Sequence, residues 1–450
     1  MFFNKLSDAK IEKLCQDVIC QAETDREAAY ALTAPLRKAQ AKQLAAAYGL
    51  IHLVKEAGLH TDDNLEILTE LYDVYHNDQN MIEQIAMVIE YAHHLDDLNA
   101  PAPEDDLFRN IIKDLQAIIK EHTGTEREFV AVEYLACTAR LMARQYDDVA
   151  RDSYEKLVIY HPDAYWAHYN QGLFFKTRGF FAEGVQANEK AREIGGDDHE
   201  AVNWNLGICA TAAGQGEKAL EIWQALGNKI KMGRFDLPEG GYPSCKVRLA
   251  EHPLAERGMD HDTAGLEETI WVERLSPCHG IIRSVLYQNL GVNYGDVIVF
   301  DGAPVTYHKY GDEDIPVFPH LATLRRQNYQ FYPFAGTQEE RGLLNDLSQS
   351  LPQDAVIYSH TENFQTLCKK CWNDTELDHA DKQHDPTDMH VVTGYIAVPP
   401  EVTAKEILNE IDQALDGQPE NRIFSPELCI AAGMDDRAVI EQKRYDFLAD

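Results

Sequence analysis

"HYNQGLFFKTRGFFAEG", residues 168–184, places a glycine, Gly172, inside a run that otherwise reads as helix. A second helical glycine, Gly207, follows 35 residues later in "NWNLGICATAAGQGEKA", residues 203–219. Glycine in a helix interior costs about 1 kcal/mol relative to alanine, so its return at a fixed interval needs a packing reason. A 34-residue frame that starts at Tyr165 puts Gly172 at its eighth position and Gly179 at a turn between two helices. Phe175 and Ala191 then fall on the faces that join the pair. One frame earlier, Thr138 takes the glycine's place, with Tyr134, Leu141, Ala150, Tyr154 and Leu157 in the packing positions and Pro162 closing the unit. One frame later, Leu206, Gly207, Gly214, Ala219 and Trp223 are in register.

Small residues at the eighth and twentieth positions let two helices cross closely. In this spacing and these positions the stretch 131–233 resembles the tetratricopeptide repeat, a helix–turn–helix unit of 34 residues. It departs from the pattern in having His168 or Asn203 where the family usually has tryptophan, and Gly184 at position twenty of the middle unit. The resemblance implies an α-solenoid whose first helices line a concave groove. Carried onto this chain, the groove positions are Val132, Leu135 and Met142 in the first unit, Trp166, Tyr169, Leu173 and Lys176 in the second, and Trp204 and Ile208 in the third, with Ala139, Ala143, Thr177, Ala201, Thr211 and Ala212 between them. Members that clamp a terminal carboxylate line the groove with several Lys and Asn side chains. Here Lys176 is the one basic residue among apolar and aromatic neighbours. A large aromatic side chain buries roughly 150–250 Å², and exposed apolar patches mark interfaces. The groove therefore either holds an apolar segment of another protein or is filled by this chain's own flanking parts.

Outward from the repeats, residues 1–106 read as further amphipathic helices, opened by Ser7, punctuated by Pro35 and closed by the acidic, proline-bearing "DDLNAPAPEDD" at 96–106. Helical repeats then occupy 107–233. The stretch "NKIKMGRFDLPEGGYPS", 228–244, concentrates glycine and proline and reads as a boundary. Beyond it, "CKVRLA", "TIWVERL", "GIIRSVLY", "DVIVF", "AVIYSH" and "HVVTGYIAV" read as strands, interleaved with the helical "TQEERGLLNDLSQSL", "NFQTLCKKCW" and "TAKEILNEIDQAL". This predicts an α+β domain with a mixed sheet over 245–450.

Composition narrows the function classes. Lysine plus arginine number 41 against 75 acidic residues, a formal charge of −34. Such a surface repels phosphate backbones and anionic lipid, which argues against nucleic-acid and membrane partners. No leader-like N-terminus and no long apolar run is present, and the nine cysteines are an odd, scattered set. A reduced, cytoplasmic protein is the expectation.

Chemistry is sought in the C-terminal half. Cys368-x-x-Cys371 is a pair that one tetrahedral zinc would suit, with Cys245 and Cys278, or His379 and His384, as the further ligands. The competing reading is two ordinary cysteines on one helix face. Cys278 and His279 are adjacent and, if extended, point to opposite faces, so a cysteine nucleophile would need a remote base. Asp296, Asp301, His308 and Asp312 sit at strand ends, where turn chemistry accounts for them. No Walker loop, G-x-G-x-x-G, G-x-S-x-G or H-E-x-x-H occurs. The sequence thus points first to an interaction scaffold or adaptor that binds a protein or peptide through an apolar segment. An enzyme with its site in 245–450, of the metal-dependent hydrolase kind, is the alternative.

Overall fold

The computed structural model describes residues 5–93, 106–196, 199–250, 267–310, 313–340, 342–363 and 390–449. Helices occupy the N-terminal part. They run α1 (Asp8–Ala22), α2 (Arg26–Leu32), α3 (Ala34–Gln40), α4 (Leu44–Glu56), α5 (Thr61–Tyr75) and α6 (Gln79–Val88), then α7 (Asp106–Glu121), α8 (Glu126–Leu141) and α9 (Asp147–Tyr160). After these come α10 (Tyr165–Thr177), α11 (Phe181–Gly195), α12 (Glu200–Ala212) and α13 (Gly216–Ala225). Their amphipathic spacing explains them. In α7, Leu107, Phe108, Ile111, Ile112, Leu115 and Ile118 recur at three and four residues and all are buried. Asp78 opens α6 by accepting hydrogen bonds from the Asn80 and Met81 amides. One continuous apolar core runs from Ile11 in α1 to Ala187 in α11.

The later helices are paired and recur. Those beginning at Tyr165 and Glu200 start 35 residues apart, as do those beginning at Phe181 and Gly216. Gly179 and Gly214 take positive φ values of 77° and 69° in the two interhelix turns, a conformation that suits glycine. The helical glycines sit where neighbours touch. A Cβ at Gly172 would lie 2.3 Å from the Asn188 side chain, at Gly184 2.8 Å from the Cys209 sulfur, and at Gly207 2.6 Å from the Trp223 ring. Absence of a side chain is what allows these helices to approach.

Strands begin with β1 (Ile230–Met232) and β2 (Pro238–Gly240), an antiparallel pair packed on α13. The glycine- and proline-rich stretch is thus folded against α13. The remaining strands are β3 (Cys245–Ala250), β4 (Glu267–Arg274), β5 (His279–Ile282), β6 (Val297–Phe300), β7 (Thr306–Tyr310), β8 (Glu313–Arg325), β9 (Gln330–Gln338), β10 (Val356–Asn363), β11 (His390–Val398) and β12 (Arg422–Phe424). One sheet has the order β3-β4-β5-β6-β8-β7, and β3 also pairs with β8. That pairing is parallel, whereas β7 and β8 are antiparallel, so the sheet is mixed.

Two compact units divide the chain. The first holds residues 1–269, 274–279 and 299–322, and the second 270–273, 280–298 and 323–450. The second is built on an antiparallel sheet of order β10-β11-β9-β12. Strand alternation sorts its two faces. Val392 and Ile396 of β11 enter a core with α14 (Leu343–Asp346), α15 (Ala404–Ala414) and α16 (Pro426–Ala431). Val391, on the other face, meets Leu448 of α17 (Asp435–Ala449). Thr403 opens α15 with a capping box closed by Glu406. Helices followed by α+β structure with mixed pairing is therefore the architecture of the described residues.

Candidate functional site

Within the first unit, a cleft of about 460 Å³ lies between α10, α12 and the turn that follows β6. Helix α10 contributes Tyr169, Leu173 and Lys176, spaced at four and three residues along one face. Helix α12 contributes Trp204, Asn205 and Ile208 by the same rule. The third wall is Asp301, Gly302, Ala303 and Pro304. Glu90 and Arg140 also line the cleft. These turn residues belong to the same compact unit as the helices.

One ammonium group joins the three walls. Lys176 Nζ lies 2.6 Å from Asp301 Oδ2 and donates a 3.0 Å hydrogen bond to Asn205 Oδ1. Lysine and aspartate are both buried, with side chains 5% and 10% exposed, so the pair is desolvated rather than a surface bridge. The turn holds Asp301 in place through its amide, donated to Pro319 O, and through its other carboxylate oxygen, which accepts from Gly302 N at 2.7 Å. Gly302 then lies flat on Trp204: a Cβ there would be 3.0 Å from the ring. Trp204 packs edge-on against Trp223 at 5.0 Å. Further along α12, burial pushes the Cys209 thiol up to about 12, so it stays protonated and inert.

The cleft gathers seven of the positions that the repeat pattern places in a groove: Tyr169, Leu173, Lys176, Thr177, Ala201, Trp204 and Ile208. Val132, Leu135 and Met142 are instead buried in the helical core, where α6 and α7 pack against α8. The chain's own N-terminal helices thus cover the wall that these three residues would have offered. Trp166 is half-buried, with its ring 5.1 Å from that of His161, and does not line the cleft. The sequence reading omitted Arg140, Glu90, Asn205 and the 301–304 turn. Asp301 reads as a turn residue, and no periodicity ties a turn to a helix so far upstream.

The metal expectation splits. Cys368 and Cys371, with His379 and His384, lie outside the described residues. Cys245 and Cys278 are both buried and free of disulfides, and burial pushes their thiols up to about 11 and about 12. No cluster of three or more His, Cys, Asp or Glu that could hold an ion occurs among the described residues. Cys278 is a neutral thiol enclosed in the fold, which removes the reactivity a nucleophile needs. His279 beside it is also fully enclosed. Its Nδ1 is 2.6 Å from Ser276 Oγ, its Nε2 has no hydrogen-bond partner among the described residues, and burial holds its pKa down at about 4.

No family model and no curated protein matches this chain. Among solved structures, "MamA AMB-1 P212121" is similar over 40% of this chain and 87% of its own, at 15% identity and a TM-score of 0.28, too slight a likeness to bear on fold or partner. Among the described residues, no helix is long and apolar enough to cross a membrane.

Proposed function

We propose that the chain is a protein-interaction scaffold whose paired helices α8–α9, α10–α11 and α12–α13 act as three tetratricopeptide-like repeats within 107–233. The partner is a protein or peptide with an apolar segment, seated beside Tyr169, Leu173 and Trp204. The observation that carries this reading is the cleft itself, in which half-buried aromatic and aliphatic side chains from successive helix pairs face one open space. The turn 301–304 fills part of that space, so the α+β region over 245–450 serves in this reading as the third wall, which shortens the groove and selects a short segment. The Lys176 charge is already met by Asp301, which favours an apolar occupant over an acidic one.

A photo-crosslinking residue at Tyr169 tests the assignment, with one at Ile159, 72% exposed, as the control. The expected result is a discrete adduct from Tyr169 in cells, lost when Leu173 is changed to Asp and absent from the Ile159 control. Adducts from Tyr169 confined to the chain itself would overturn the proposal.

A further inference from the structure

In the second compact unit the sheet face that carries Tyr395 is roofed by the chain between β5 and β6. Strand register builds the floor. Tyr358 of β10 stands opposite Tyr395 of β11, and Phe331 of β9 and Val356 of β10 both stand opposite Ala397. These side chains pack with Val285, Tyr294 and Tyr329 in one apolar cluster. Above the floor, a cleft of about 440 Å³ opens between Tyr287, Tyr294, Tyr329, Phe331 and Tyr395, a size suited to a small molecule. Its aromatic walls are fixed. Tyr294 and Tyr329 meet edge-on at 5.3 Å, and the Tyr287 ring lies 3.9 Å from that of His360. His360 is in turn held through Nε2, 2.6 Å from Val285 O.

The charges around this cleft are unequal in availability. Asp296 accepts backbone hydrogen bonds from Asn293 at 3.0 Å and Gln327 at 2.7 Å, so its carboxylate is spent on tying the two rim segments together. Arg283, behind Tyr294, is paired with Glu273 at 2.7 Å. Arg326 is exposed at the rim and lines the cleft; it attracts the Asp296 carboxylate from a distance, but among the described residues it forms no ion pair within 4 Å. A tyrosine-walled slot with one available guanidinium at its mouth is complementary to a flat ring attached to an anion. The ring gains offset or edge-on stacking, and the anion takes the planar fork of the arginine.

We propose that this cleft binds a small ligand that joins an aromatic ring to an anionic group, of the aryl phosphate or nucleoside monophosphate class. The probes are phenyl phosphate and AMP, titrated into the full chain by ligand-observed NMR. Phenol and inorganic phosphate supply the ring and the anion separately. At least one of the two ring-bearing phosphates should bind saturably, at least tenfold more tightly than phenol or phosphate alone. Arg326→Ala should weaken it at least tenfold, Arg326→Lys by less, and Tyr287→Ala severalfold. Both altered residues are exposed, so an unchanged melting curve certifies the fold. Tighter binding of AMP than of phenyl phosphate would assign a nucleotide-like ligand, and the reverse a simple aryl phosphate. Failure of both to bind at millimolar concentration, phenol binding as tightly as phenyl phosphate, or indifference to Arg326→Ala would overturn the proposal.

Discussion

Gly207→Ala sets two known effects against each other. Alanine in a helix interior is favoured over glycine by about 1 kcal/mol. Against that, the new Cβ would stand 2.6 Å from Trp223 Cζ2 and 2.8 Å from Cε2 and Cη2, where carbon pairs prefer about 3.5–4.0 Å. The indole must retreat by about 1 Å to restore ordinary contact. It has little freedom to do so, because Trp223 is fully buried, donates to Thr211 Oγ1 at 3.2 Å and packs edge-on against Trp204. Overpacking of this kind costs about 1–3 kcal/mol, and the rigid ring places the cost in the upper half of that range. The net expectation is a loss of about 1–2 kcal/mol. The sign should reverse once the ring is gone: in a Trp223→Leu background the same change should be neutral or stabilising by up to about 1 kcal/mol. Urea unfolding of the four proteins, followed by far-UV circular dichroism, completes the cycle and reads the coupling directly. Stabilisation by Gly207→Ala in the parent chain would refute the close-crossing explanation of the recurring glycines.

Two further outcomes follow from buried charge. Asp301→Ala strands the Lys176 ammonium in the cleft wall and should cost about 3–5 kcal/mol, whereas adding Lys176→Met should recover most of that loss; equal melting of the single and double variants would remove the pair as an organising contact. His279, held neutral with a pKa of about 4, takes up its proton more readily unfolded, at a pKa of about 6.5. Its contribution is therefore complete above that value and is lost as pH falls from about 6.5 towards 4, by about 3 kcal/mol in all. Replacing it by Gln should flatten the pH dependence of the denaturation midpoint between pH 5 and 6.5, and an unchanged slope there would show that His279 titrates normally.

The helical part was legible because its periodicity is strong. Spacing at three and four residues located α1 and the later helix pairs, and the two glycines fixed their frame. The apolar spacing at three and four residues runs on through 36–58 as if one helix followed Pro35, yet the chain breaks at Ala41–Gln43 between α3 and α4, where Gln43 exchanges two hydrogen bonds with the Leu6 backbone. No local signal announces a contact made 37 residues away. In the C-terminal half the short β-branched runs were recovered, HVVTGYIAV as β11 residue for residue, but β8 and β9 were missed. Pro316, Pro319 and Pro333 lie inside them, and proline argues against a strand unless its missing N–H falls where no ladder bond is needed. At the cleft, positions from α10 and α12 were legible through the repeat frame. Their counterpart was not. A lone lysine in an apolar wall demands an acid, yet sequence alone cannot choose Asp301 from 75 acidic residues.

The contact between Lys176 and Asp301 also has a place in time. Asp301 is the later of the two by 125 residues (301 minus 176), which is roughly 6–25 s of synthesis at about 5–20 residues per second. The paired helices are built from near-neighbour contacts and form on far shorter timescales. In that interval the nascent helical region presents Tyr169 and Leu173, joined by Trp204 once α12 has been made, on a surface still lacking the turn 301–304, with an uncompensated ammonium in its middle. A chain stalled on the ribosome before residue 301 should then be a better ligand for apolar holdases than one extended past β7, and acidic segments passing nearby would be its transient decoys. Arrival of Asp301 ends this window and converts a broad sticky face into a narrow cleft.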